Sequence, residues 1–218
     1  VQVHPDDEFA AHYENGALGK AEMWYVAEAL PESKLIYGFY DNVSRKIVNE
    51  KLASGNIVEL LQKISVNAGD YFYIKPGVIH AIGKGILLVE VQEKSDITYR
   101  LYDYDRKDEN GKRRILHIEK ALNVCRFEKS DLHARKMRCF VYEKNTLITT
   151  ICRNRYFDVK RYSVNVDEKD ERLLSSGDVN SFLILVCLRG RGYILNDNLA
   201  LMIEKGRTVF IPAGLKLK

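Results

Sequence analysis

The sequence predicts a mainly β protein of two related units with a few short helices, and three observations predict it. Short segments rich in Val, Ile, Tyr and Phe recur between Gly, Asn and Asp residues, the pattern of strands and their turns. Strands this short and this numerous, punctuated by glycine, belong to barrels or sandwiches. An internal echo then divides the chain. Gly69-Asp70-Tyr71-Phe72-Tyr73-Ile74-Lys75-Pro76-Gly77 matches Gly206-Arg207-Thr208-Val209-Phe210-Ile211-Pro212-Ala213-Gly214 in order and chemistry: a glycine, a hydrophobic strand, then a proline-glycine turn. A repeat of this kind signals duplicated supersecondary units.

In chain order, strands are expected over Met23 to Ala27, Lys34 to Phe39, Tyr71 to Ile74, Ile86 to Gln92 and Thr98 to Tyr102. Two stretches depart from the pattern. Ile57, Leu60, Leu61 and Ile64 have helical spacing, predicting an amphipathic helix over Asn56 to Ile64. Ile118 to Cys125 reads as a second short helix. The charged run Asp103 to Arg114 contains Asn110-Gly111, a turn signal, and ends the first unit. This gives domains 1–114 and 115–218. The second half continues with strands at Cys139 to Tyr142, Leu147 to Ile151, Tyr156 to Tyr162, Phe182 to Leu188, Gly192 to Leu195 and Thr208 to Ile211.

Composition narrows the function classes. With 218 residues, 46% hydrophobic and 29% charged, the chain is long enough for a true buried core. No segment approaches the run of about 20 apolar residues that spans a bilayer, so no membrane partner is expected. Residue 1 opens into a charged segment rather than a signal peptide, and the chain starts mid-pattern without Met. The four cysteines, Cys125, Cys139, Cys152 and Cys187, form no C-x-x-C pair and sit mostly among apolar neighbours. They read as buried thiols of a reducing, cytoplasmic environment. The net charge of +4 suits an anionic small molecule. No basic run is interleaved with aromatics, which argues against nucleic acid. The sequence carries no signal of oligomeric state.

The chemistry-bearing residues fall in the first half. Gln2 and His4 are two apart in a strand-like segment, so their side chains share a face. Lys20 and Glu22 repeat that spacing, and His80 follows the Pro76-Gly77 turn by three residues. Two imidazoles, a carboxylate and an amide oxygen make a zinc ligand set that leaves room for substrate, and such a site acts as a Lewis acid on a carbonyl or hydroxyl oxygen. A histidine on a strand serves equally as a hydrogen-bonded core residue, so spacing alone leaves both readings open. His12, His117 and His133 lie in polar surroundings and read as surface residues. Lys84, between Gly83 and Gly85 near His80, reads as a solvated turn lysine or a phosphate contact.

Gly69 to His80 resembles the second cupin motif, a glycine and a strand followed by P-G-x-x-H. Three further segments resemble type I phosphomannose isomerases more narrowly: Val1-Gln2-Val3-His4-Pro5-Asp6-Asp7, Gly19-Lys20-Ala21-Glu22-Met23-Trp24-Tyr25, and Glu90 to Arg100 followed by Tyr102-Asp103-Tyr104-Asp105-Arg106. The resemblance covers essentially the whole chain and is nearest the shorter bacterial members. It implies a double cupin of two β-barrel or jelly-roll domains, the first binding one zinc and the second none. It also implies conversion of mannose 6-phosphate to fructose 6-phosphate through an enediol. By position the implied metal ligands are Gln2, His4, Glu22 and His80. The implied catalytic residues are Arg100, Lys20, Glu90 and Asp96.

Aldose–ketose exchange moves a proton between adjacent carbons, which needs a base, a proton relay and positive charge near the enediolate. Zinc and Arg100 suit the charge. Lys20 or a carboxylate suits the relay, and a lysine beside other cations has its ammonium form disfavoured. Two departures accompany the resemblance. The family carries a segment before Q-x-H that is expected to be absent here, and no histidine follows Pro212-Ala213-Gly214. Two alternatives remain. A cupin dioxygenase would use His4, Glu22 and His80 but gives no role to Gln2, Lys20 or Arg100. A non-catalytic cupin that binds a sugar phosphate would not require an intact Lys20, Glu22 and Arg100.

Overall fold

The computed structural model of the chain describes residues 1–131, 139–143, 146–165, 174–175, 181–196, 199–214 and 216–217. It is mainly β, with three short α-helices among the described residues. Two compact units are distinguished: residues 1–138 with 151–159, and residues 139–150 with 160–218.

The first unit opens with β1 (Gln2–Val3) and helix α1 (Asp7–Tyr13). Asp6 caps that helix by accepting from the Phe9 N–H at 2.9 Å, meeting one of the donors a helix start leaves unpaired. Strands β2 (Glu22–Ala29) and β3 (Lys34–Phe39) follow. Helix α2 (Arg45–Ala53) is capped by Ser44, whose side chain accepts from the Ile47 N–H. Then come β4 (Leu61–Ser65), β5 (Tyr71–Ile74), β6 (His80–Ala81), β7 (Ile86–Gln92), β8 (Tyr99–Arg100) and α3 (Ile118–Val124).

These strands form two antiparallel sheets. One is ordered β4-β3-β6-β1-β8 and the other β5-β2-β7. Leu35, Tyr37 and Ile64 of the first pack with Trp24, Val26, Phe72 and Ile74 of the second in one buried cluster. The opposite face of the five-stranded sheet is also dry. Val1, Val3, Ile36, Phe39, Ile79 and Leu101 meet Val48 of α2 and Ala121 and Leu122 of α3. Burying each such large apolar side chain contributes about 1.5–3 kcal/mol. The five-stranded sheet is therefore buried on both faces, and polar side chains on its inner face must find partners there.

The expected helix over Asn56 to Ile64 is corrected. Ile57–Leu60 is a single 3-10 turn, and Leu61–Ser65 is β4. The apolar residues are buried as a helix would require, but pairing of Leu35 with Ile64 and Lys34 with Ser65 claims the second half as strand. The helix at Ile118 stands, and it packs within the first unit.

The chain continues with β9 (Cys139–Glu143) paired with β10 (Thr146–Arg153), then β11 (Asp158–Val164), β12 (Leu174–Ser175), β13 (Leu183–Val186), β14 (Arg191–Asn196), β15 (Leu199–Glu204), β16 (Thr208–Ile211) and β17 (Lys216–Leu217), all in the second unit except residues 151–153 and 158–159. Its β16 lies at the position the sequence echo assigns to β5. Both are four-residue antiparallel strands, β5 on β2 and β16 on β13. No helix among the described residues is long and apolar enough to cross a membrane.

Candidate metal centre

The strand register sets the site. In the five-stranded sheet, Gln2 on β1 stands opposite His80 on β6 at one side and Arg100 on β8 at the other. Directly opposed residues of antiparallel strands point to the same face, so Gln2, His80 and Arg100 form one cross-strand row. His4, two residues beyond Gln2, projects the same way. In the facing sheet, Glu22 begins β2 opposite Gln92, and Trp24 stands opposite Glu90.

His4, Glu22 and His80 converge from these two sheets. One potential ligand atom from each lies within 4.8 Å of the others, and all three are essentially fully buried. His4 Nε2 is 2.9 Å from Glu22 Oε1, and His80 Nε2 is 3.5 Å from Glu22 Oε2. The imidazoles are oriented from behind. His4 Nδ1 lies 2.9 Å from the Ile97 carbonyl, and His80 Nδ1 lies 2.8 Å from that of Val78. A carbonyl only accepts, so each Nδ1 carries the hydrogen and each Nε2 presents its lone pair to the cluster. Gln2 Nε2 sits 3.2 Å from His80 Nε2.

Among the described residues, His4 Nε2 and both Glu22 oxygens have no hydrogen-bond partner in spite of their burial. Such orphaned groups cost about 1–3 kcal/mol each or more when charged. A divalent cation ligated by these atoms removes that cost, and two imidazole nitrogens with a carboxylate oxygen are a zinc-type donor set. The residues fit such a metal. Burial, then the neighbouring His4, pushes the His80 imidazole down to about 4, so it is neutral and ligand-competent at neutral pH. Burial pushes the Glu22 carboxyl up, but the His4 contact and the neighbouring cations outweigh it and hold it at about 2.

The remaining candidates lie at graded distances from this cluster. Lys20 is buried, with Nζ 3.2 Å from Glu22 Oε1. Glu90 accepts from Trp24 Nε1 at 2.9 Å, and the Trp24 ring packs edge-on against His80 with centroids 5.2 Å apart. Burial, then the nearby Glu22 charge, raises the Glu90 carboxyl above its usual range. Arg100 shares the row of Gln2 and His80, and its guanidinium donates to the Ile115 carbonyl at 2.9 Å. Asp103 is the partner of Arg106 and Arg114. Asp96 is exposed in the loop after β7, one residue before the carbonyl that orients His4.

One expectation is corrected. His117 is half-buried rather than a surface residue, and its Nδ1 accepts the Arg100 backbone N–H at 3.2 Å. Lys84 is exposed in the turn before β7, as a solvated turn lysine is expected to be. His12 is exposed as expected, and His133 lies outside the described residues. Cys125 is buried, its thiol pushed up to about 12 by burial. Cys152 and Cys187 are half-buried. Sequence reasoning missed Trp24 as a support of the site, although it follows Glu22 by two residues and so shares its face. The carbonyls of Ile97 and Val78 carry no side-chain signal that could have revealed them.

No family model matches the chain. Mannose-6-phosphate isomerase ManA of Bacillus subtilis (strain 168) is 36% identical over 219 residues, covering 99% of this chain and 65% of that protein. The crystal structure of mannose 6-phosphate isomerase from Bacillus subtilis superposes with a TM-score of 0.85 at 32% identity, across 100% of this chain and 67% of that one. The chain belongs to the mannose-6-phosphate isomerase family. It spans 65% of the length of the curated relatives it matches. A mannose 6-phosphate isomerase structure bound with zinc and yttrium shares the fold at a TM-score of 0.67 and 15% identity, covering 100% of this chain and 73% of that one.

Proposed function

We propose that this chain carries the catalytic centre of a zinc-dependent mannose-6-phosphate isomerase, interconverting mannose 6-phosphate and fructose 6-phosphate. The observation that carries this reading is the buried His4–Glu22–His80 cluster, with orphaned ligand atoms and Lys20 at its edge. We assign one zinc per chain to Gln2, His4, Glu22 and His80. These residues all fall within residues 1–114, the metal-binding cupin. Residues 115–218 are the second cupin, without a metal site. The compartment is the cytoplasm and the partner is a phosphosugar, with neither nucleic acid nor membrane involved.

When bound, zinc supplies Lewis-acid polarisation of the sugar's carbonyl and hydroxyl oxygens. The chain supplies the rest. Arg100 has a permanent charge and stands in the row of Gln2 and His80, so it stabilises negative charge that develops on the enediolate. Lys20, drawn in by Glu22 and shielded from water, carries protons between the two oxygens. Glu90, with its carboxyl raised by burial and tethered by Trp24, is a second carboxyl beside the cluster for proton exchange with the sugar. Asp96 serves the rim, next to the residue that orients His4. The test is turnover of mannose 6-phosphate to fructose 6-phosphate by the purified zinc-loaded protein, with oxygen uptake followed in parallel. Isomer formation without oxygen consumption supports the proposal. Oxygen consumption without isomer formation points to a dioxygenase and ends it.

A further inference from the structure

Four consecutive residues precede the metal ligand Glu22 as extended chain, and each is stitched to a neighbour. The Leu18 carbonyl accepts from Ser95 Oγ at 2.8 Å. Gly19 N–H donates to Asp7 Oδ1 at 2.9 Å. Lys20 N–H donates to the Pro5 carbonyl at 3.0 Å. Ala21 is bound twice by Glu93: its N–H donates to Glu93 Oε2 at 3.3 Å, and its carbonyl accepts the Glu93 N–H at 2.9 Å. The approach at Gly19 is tight, since a Cβ there would lie 2.4 Å from the Asp6 carbonyl carbon. The segment carrying Lys20 and Glu22 is thus gripped from one side by residues 5–7 and from the other by residues 93–95.

The two carboxylates of this grip also influence each other. Their proximity lowers the Asp7 carboxyl and raises that of Glu93, since two like charges close together disfavour joint ionisation. Asp7 has the stronger claim to the negative charge, because Tyr156 OH donates to it at 2.6 Å and Arg155 and Gly19 N–H bind it as well. Glu93 is 4% exposed, and its Oε1 has no hydrogen-bond partner among the described residues. Burial, then the Asp7 carboxyl, pushes its own carboxyl up to about 7. Of the two, Glu93 is the one that takes up a proton first as pH falls.

We propose that Glu93 is a positioning residue for the metal centre: buried against Ala21 and bound to it by two hydrogen bonds, it fixes the placement of Glu22 and Lys20. Neither carboxyl touches the metal ligands, so the effect passes through the backbone of residues 19–22. The inference rests on the metal site proposed above, and its readout is zinc affinity, independent of isomerase turnover.

The test measures zinc affinity of the purified full chain by chelator competition, for Glu93→Gln, Glu93→Ala and the volume-matched Glu93→Met, with thermal melts alongside. An amide at position 93 keeps an acceptor for Ala21 N–H, so Glu93→Gln should bind zinc like the unaltered protein. Residues that support metal ligands from behind cost about 10–100-fold in affinity when removed, and Glu93→Ala and Glu93→Met should lose that much while remaining folded. Undiminished affinity in either folded loss variant overturns the proposal. So does an equal loss in Glu93→Gln, because the acceptor for Ala21 N–H would then not be what matters. If both loss variants fail to fold, Glu93 serves the fold and the proposal also fails. An unaltered chain that binds zinc but turns over no mannose 6-phosphate refutes the proposed activity and leaves this inference to stand or fall on affinity.

Discussion

Arg100 carries a charge that no ordinary pH removes, and its place beside Gln2 makes it the side chain whose loss is most informative. Removing an interaction made only in the transition state lowers kcat and kcat/KM together, whereas removing a uniform phosphate contact raises KM alone. We expect Arg100→Ala to show the first pattern, with kcat down about 10²–10³-fold, the scale of losing one electrostatic stabiliser. Steady-state kinetics with zinc content measured in parallel decide it, and near-normal kcat would make Arg100 structural. Asp103 has a different role. Hydrogen bonding from Arg114, aided by Arg106, holds its carboxyl well below the usual aspartate range against the opposing effect of burial. A depressed folded value means that the stabilisation is present above the ordinary value of about 3.9 and is lost as pH falls through the folded value. Both arginines are at least half exposed, so Asp103→Asn should cost only about 1 kcal/mol at pH 7. Urea unfolding across pH should show that gap closing in acid. A gap that is unchanged below pH 3 would contradict the ion-pair account.

At the scale of elements, the turn before β6 does more than reverse the chain. Gly77 has a φ of +83°, and its N–H donates to the His4 carbonyl while its own carbonyl accepts from Arg126 N–H, both at 2.8 Å. A Cβ there would sit 2.7 Å from the Val124 carbonyl oxygen. Gly77→Ala should therefore cost about 1–3 kcal/mol in strain and displace both His4 and His80, lowering melting temperature and zinc affinity together. Wild-type zinc affinity in that variant would show the turn to be uncoupled from the site. The elements also show what the sequence made legible. Lys34–Phe39, Tyr71–Ile74, Ile86–Gln92 and Thr208–Ile211 are strands over the expected residues, because alternation and flanking glycines leave little else for them to be. Asn56 to Ile64 was misleading because its apolar residues are buried in either conformation, and only the distant partner strand β3 decides between them. Helices α1 and α2 are short and largely polar, so they show no periodicity. Their only local signals are the caps Asp6 and Ser44.

Across the whole molecule, the candidate ligands come from segments as far apart as Gln2 and His80, and nothing local in the sequence says that they meet. Two-residue spacing puts Gln2 with His4, and Lys20 with Glu22, on shared faces, but only the register across β6, β1 and β8 and the facing of two sheets bring the pairs together. Resemblance to the isomerase family named His4, Glu22 and His80, which do converge, because it carries that tertiary information implicitly. The grip of Asp7 on Gly19 and of Glu93 on Ala21 stayed invisible for the converse reason: neither carboxylate stands in a metal-ligand pattern, and these bonds exist only once the first helix and the end of β7 are in place. The central claim is that the buried cluster holds one zinc on which isomerisation depends. The most direct test strips the protein with a chelator and titrates zinc back while following conversion of mannose 6-phosphate to fructose 6-phosphate. The account predicts no turnover in the stripped protein and full recovery at about one zinc per chain; full turnover in the stripped protein, or none at saturating zinc, would contradict it.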